Sequence, residues 1–80
     1  MFMQRKIIKI NNMNEIDNFI TLANHVDGDV TIHKGKFTVD GKSYLGVMYI
    51  GIYDPVIVEY PATASEFDKF LSQYETIKGD

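Results

Sequence analysis

The stretch GKSYLGVMYIGIYDP, residues 41–55, decides how the rest of the chain is read. After Lys42 and Ser43 come ten residues, Tyr44 to Tyr53, with no charged or strongly polar side chain. Gly41, Gly46 and Gly51 weaken a helix here. Leucine, methionine and tyrosine behind a serine, a favoured N-cap, nevertheless predict a short one, broken by Asp54-Pro55. Such a helix is apolar on every side, and a chain of 80 residues builds only one modest core. Some of Tyr44, Leu45, Met48 and Tyr49 must therefore stay in water. An exposed apolar patch of that kind marks a partner surface.

Reading outward, PVIVEY (55–60) is a strong strand pattern. Upstream, DVTIHKGKFTVDGK (29–42) predicts two short strands joined by a turn at Lys34-Gly35. Val30 and Ile32 point one way from the first strand, and Phe37 and Val39 do the same from the second. Residues 2–10 form a strand ending in KIIKI. NEIDNFITLANHVDG (14–28) has the spacing of a helix that buries Ile16, Phe19, Ile20, Ala23 and Val26. Asn14 suits its N-cap, Glu15 and Asp17 the positive end of its dipole, and Gly28 the position past its end. TASEFDKFLSQYETI (63–77) predicts a second amphipathic helix, with Phe67, Phe70, Leu71, Tyr74 and Ile77 on one stripe and Thr63 with Glu66 as a capping box. The order β-α-β-β-α-β-α, with few strands, predicts an α+β domain over residues 1–80, its helices packed on one face of an antiparallel or mixed sheet.

Composition removes several function classes. The absence of cysteine excludes disulfides and thiolate metal sites. A formal net charge of −3 argues against direct nucleic-acid binding, which rests on neutralising phosphates. The apolar run is about half the length that spans a bilayer, and the N-terminus lacks a signal-peptide pattern, so no membrane role and a cytoplasmic location are expected. The acidic residues Glu15, Asp17, Asp27 and Asp29 are assigned to helix ends and loops rather than to a metal. Lys34, Lys36 and Lys42 are read as a solvated edge. No cofactor and no enzyme centre are expected.

The element order and the string GKSYLGVMYIGI resemble HPr, the histidine-containing phosphocarrier of the bacterial phosphotransferase system. Gram-positive members carry K-S-x-x-G-V-M-x-x-G-I, matched here by Lys42, Ser43, Gly46, Val47, Met48, Gly51 and Ile52. The resemblance implies an open-faced β-sandwich, a four-stranded antiparallel sheet with three helices on one face.

It also implies two chemical sites. The first is a histidine within G-x-H-x-R-P-A at the start of helix one, which relays a phosphoryl group. Here Asn12 falls at the histidine, Asn14 at the arginine and Glu15 at the proline. An amide nitrogen, its lone pair delocalised, is no phosphoryl acceptor, and Glu15 and Asp17 repel phosphate where the helix terminus would hold it. No histidine lies between residues 1 and 24, so the relay is expected to be lost. The second site is the serine before the middle helix, phosphorylated in the family by a dedicated kinase. Ser43 stands there, with Lys42 beside it. In the family this serine and helix contact enzyme I, permease domains, the kinase and a catabolite repressor, which places Tyr44, Leu45 and Met48 on the contact surface and Val47 and Ile50 in the core. The link FTVDGKS reads about one residue longer than usual, and Tyr44 and Tyr49 are bulkier or more polar than the usual occupants.

The expectation is a regulatory, non-enzymatic HPr-like protein. It would bind a transcriptional regulator, a kinase or a phosphotransferase-system component through the helix after Ser43. Three alternatives stand beside it: Ser43 as a plain helix cap, a phosphocarrier using His25 or His33, and a paralogue whose patch serves self-association.

Overall fold

The structure, a computed structural model, describes residues 2–77; Met1 and residues 78–80 of the expected 1–80 domain lie outside the described residues. The chain runs β1 (Met3–Ile8), α1 (Met13–Asn24), β2 (Thr31–Lys34), β3 (Phe37–Asp40), α2 (Tyr44–Ile50), β4 (Val56–Pro61) and α3 (Ser65–Ser72). The strands form one antiparallel sheet in the order β1-β4-β2-β3, with α1, α2 and α3 packed on one face. This is the expected two-layer α+β open-faced sandwich.

Strand alternation divides the sheet. Ile8, Ile32, Val56, Val58 and Tyr60 face the helices and are buried. They meet Ile16, Phe19 and Ala23 of α1, Val47 and Ile50 of α2, and Phe67, Phe70 and Leu71 of α3 in a single cluster. Phe67 anchors its centre, edge-on to Phe19 at 5.4 Å and to Tyr60 at 5.5 Å between ring centroids. Such pairs contribute about 1 kcal/mol each beyond burial. The Tyr60 hydroxyl, inside this cluster, donates to Asp68 at 2.5 Å. Burial and the adjacent Asp68 carboxylate raise its pKa well above the usual phenol value.

Several boundaries differ from expectation. The middle helix ends at Gly51 (φ 75°), before Asp54-Pro55 is reached, because a positive φ there stops the helix at once. The β2–β3 turn is Gly35-Lys36 rather than Lys34-Gly35, and Gly35 (φ 58°) takes the first loop position. Helix α3 starts at Ser65 with Ala64 as N-cap and no side-chain cap, so Thr63 and Glu66 form no capping box. The cause is β4, which runs on through Pro61 and is followed by a turn closed from Ala64 N to Pro61 O. That leaves Thr63 one residue too early. Beyond Gln73 the chain turns to pair with β1, so Ile77 leaves the apolar stripe and is 87% exposed.

Candidate functional site

Helix α2 presents the patch. Leu45 is 79% exposed, Tyr49 73% and Tyr44 51%, whereas Val47 and Ile50 are buried. Met48 is half-buried and packs against the core cluster, so it sits at the patch margin rather than at its centre. The patch extends further than the sequence reading placed it. Phe37 of β3, 58% exposed, stands edge-on to Tyr49 at 6.4 Å. Together with Lys34, Gly35, Lys36 and Ile50 these rings line an open groove of about 480 Å³. Phe37 faces the helix layer, as its alternation requires, but on the edge strand β3 it meets only the rim of α2, at Tyr49, and stays largely in water.

Ser43 opens the helix. Its backbone is extended (φ −92°, ψ 117°), its Oγ accepts the Gly46 N–H at 3.1 Å, and its carbonyl accepts the Val47 N–H at 2.9 Å. It is an N-cap, half-exposed at the rim of the patch. Two glycines allow this placement. A Cβ on Gly46 would press on Val39 and on Asp40 O at 3.3 Å, so its absence lets α2 lie close on β3. A Cβ on Gly41 would meet Val30 Cγ1 at 2.6 Å.

Two lysines hold the helix ends, where the sequence suggests only a solvated edge. Lys34 Nζ donates to Ile50 O at 2.9 Å and Gly51 O at 3.0 Å, and pairs with Asp54 at 3.2 Å. It supplies the C-terminal positive charge that α2 lacks in its own last turn. Lys42 Nζ donates to Val26 O at 2.8 Å, just beyond α1. Neither role has a local signature, since each ammonium reaches a carbonyl sixteen or seventeen residues away.

At the start of α1 the positions compared with the phosphorelay motif do structural work. Asn12, not Asn14, is the N-cap: its Oδ1 accepts the N–H of Asn14 at 2.8 Å and of Glu15 at 3.3 Å. Two of the backbone donors that could face an anion there, the N–H groups of Asn14 and Glu15, are thus taken by the chain's own amide. Asn14 lies in the exposed first turn. Glu15 accepts from the Tyr74 hydroxyl at 2.6 Å, fastening α1 to the segment after α3, and this bond raises the Tyr74 pKa. The Tyr53 hydroxyl reaches Met13 Sδ at 3.7 Å, bringing the loop after α2 against the same turn.

The histidines lie elsewhere. His25 is the C-cap of α1, about 18 Å along the helix from Met13, and its Nδ1 donates to Thr21 O at 2.8 Å. His33 lies on the open face of the sheet. Its Nε2 is 3.0 Å from Glu59 Oε1 and its Nδ1 3.3 Å from the Thr38 hydroxyl. The hydrogen bond from His33, helped by the charge of Arg5, holds the Glu59 carboxyl below its usual range. Among the described residues no cluster of three or more His, Cys, Asp or Glu could hold a metal ion, and no helix is long and apolar enough to cross a membrane.

No family model and no curated protein matches the chain. Among solved structures it is similar to the phosphocarrier protein HPr from Bacillus anthracis str. Ames. The two are 25% identical, the match covers 94% of this chain and 96% of the other, and the TM-score is 0.66. A match over nearly the full length of both chains, with the element order and one-sided helix layer described above, gives this protein an HPr-like fold.

Proposed function

We propose that the chain is a cytoplasmic regulatory or interaction protein of HPr-like fold that does not carry phosphate on histidine. It binds a protein partner through α2, with Tyr44 and Leu45 as the main contacts and Met48 at their margin. The partner class is a transcriptional regulator, a kinase or a phosphotransferase-system component. One observation carries the reading: an apolar helix face, with Leu45 79% exposed, stands directly behind Ser43, while the Asn12 side chain occupies the Asn14 and Glu15 N–H groups at the start of α1.

Ser43 is the switch in this reading. Its hydroxyl now serves as a neutral cap. Phosphorylation would replace that cap by a group carrying about −1.5 to −2 charges, placed at the edge of the apolar patch. A partner's view of Tyr44 and Leu45 would change without any change of fold.

The test is intact-mass spectrometry after incubation with ATP and an HPr-type serine kinase, with Ser43→Ala alongside. One added phosphate, lost in the Ala variant, supports the switch. A folded protein with no added mass reduces Ser43 to a helix cap. Leu45→Asp then decides the docking claim in a pull-down with a candidate partner: retained binding would refute it.

A further inference from the structure

We infer that the β3 edge is a self-association surface, through which two copies of this chain pair antiparallel about Thr38. The inference does not rest on Tyr44, Leu45 or Ser43, the residues of the function proposed above, and shares with their patch only Phe37 at its margin.

The backbone parity comes first. Lys34 and Phe37 close the two-residue hairpin, and Gly41 N donates to Val30 O at 2.7 Å, so the ladder bonds fall at 34/37, 32/39 and 30/41. At the residues between them, Thr38 and Asp40, the N–H and C=O groups point away from β2, toward the outer edge of the sheet. The Asp40 carbonyl accepts from Ser43 N, but the N–H of Asp40 and both groups of Thr38 have no partner among the described residues. The opposite edge is less open. Behind α3 the chain crosses β1, with Lys9 N donating to Tyr74 O and Thr76 N to Ile7 O.

The side chains are self-complementary in this register. Reversing Lys36-Phe37-Thr38-Val39-Asp40 about its centre sets Lys36 of one copy opposite Asp40 of the other at both ends, Phe37 opposite Val39, and Thr38 opposite Thr38. By strand alternation Thr38 and Asp40 lie on the open face and the two Phe37–Val39 pairs on the helix face, while Lys36, in the hairpin turn, brings its long side chain to the Asp40 opposite at each end. Lys36, Thr38 and Asp40 are exposed, and Phe37, 58% exposed, gains a neighbour across the seam. Thr38 pairs with Thr38 through two backbone bonds, and each Asp40 N–H meets the Lys36 carbonyl opposite. A lysine guarding an edge strand discourages pairing when its opposite number is another lysine. Here the symmetry brings an aspartate to it.

Sedimentation equilibrium of the full chain from micromolar to millimolar concentration tests this. The weight-average mass should rise from 9.2 kDa towards twice that value. K36E alone and D40K alone each place like charges across both ends of the seam and should weaken association about tenfold. An equimolar mixture restores opposite charges at both ends and should associate as the wild type does. Because D40K also removes the carboxylate that accepts Lys42 N, the Thr38 amide of the wild type provides a second readout. Its hydrogen exchange should slow as concentration rises. A wild type that stays at 9.2 kDa, an association indifferent to K36E, or a Thr38 amide whose exchange ignores concentration would each overturn the inference.

Discussion

Replacing Lys34 by methionine keeps most of the aliphatic stem and removes only the ammonium. Three contacts go with it: two carbonyls at the end of α2, at 2.9 and 3.0 Å, and the Asp54 carboxylate at 3.2 Å. A hydrogen bond from a charged donor contributes roughly 1.5–3 kcal/mol when buried. The Lys34 side chain is 31% exposed, so water takes over part of that role. The Asp54 partner is 73% exposed and adds little, about 0–1 kcal/mol. A loss of about 2 kcal/mol is therefore expected, which for a domain of this size lowers Tm by about 8–16 °C. Hydrogen exchange should show the amide of Gly51 opening first, since its bond to the Val47 carbonyl closes the last turn that the ammonium caps. Asp54→Asn is the control, with an expected cost below about 0.5 kcal/mol. The reasoning fails if Lys34→Met changes stability by less than that control, or if Asp54→Asn costs as much as Lys34→Met. Either outcome would mean that the helix end is satisfied by water.

The remaining predictions concern the patch, the first helix and acid stability. Leu45→Asp should leave the denaturation midpoint nearly unchanged, whereas Met48→Asp, packed against the core cluster, should cost about 1–3 kcal/mol; equal effects would contradict the placement of these two side chains. Asn12→Ala should cost about 1 kcal/mol and Asn12→Asp almost nothing, read by chemical denaturation, because aspartate keeps the capping oxygen. Glu59 has a folded pKa below its ordinary 4.5, so its contribution is present above that value and is lost as pH falls through the lowered one. The wild type should therefore lose stability more steeply than Glu59→Gln on acidification below about pH 5, in thermal melts at stepped pH.

The parts of this fold that could be read from the residues are those where spacing alone sets burial. Ile16, Phe19 and Ala23 face the core as their helical period requires, and Val56, Val58 and Tyr60 as their alternation requires. Val47 and Ile50 are buried as the family resemblance implies, since spacing alone leaves a helix apolar on every side undecided. Competing local choices were not legible. In Asn11-Asn12-Met13-Asn14 three good caps stand within four residues, and tertiary packing around Ile10 and Ile16 selects Asn12. Phe37 follows the alternation of its strand, yet its exposure depends on β3 being at the edge, which requires the strand order. Lys34 and Lys42 bind carbonyls brought near only by folding, so their composition signal is that of any surface lysine. At the candidate site, the serine and the apolar helix were visible in the string, whereas the aromatic extension to Phe37 was not.

The two long lysine reaches also bear on the order of folding. Helix α2 has seven residues, too few to persist alone, since an isolated helix in water needs roughly 12–15. Its C-terminus is completed by a side chain from β2, its N-terminal turn leans on β3 through Gly46, and the lysine just before its cap is tied to the end of α1. A peptide of residues 41–55 would therefore show no helical signal by circular dichroism. In refolding, α2 would gain protection only after the β2–β3 hairpin and α1 had docked. The surface proposed for a partner is thus among the last parts of the fold to form, and a nascent or partly unfolded chain would display the apolar residues without their arrangement.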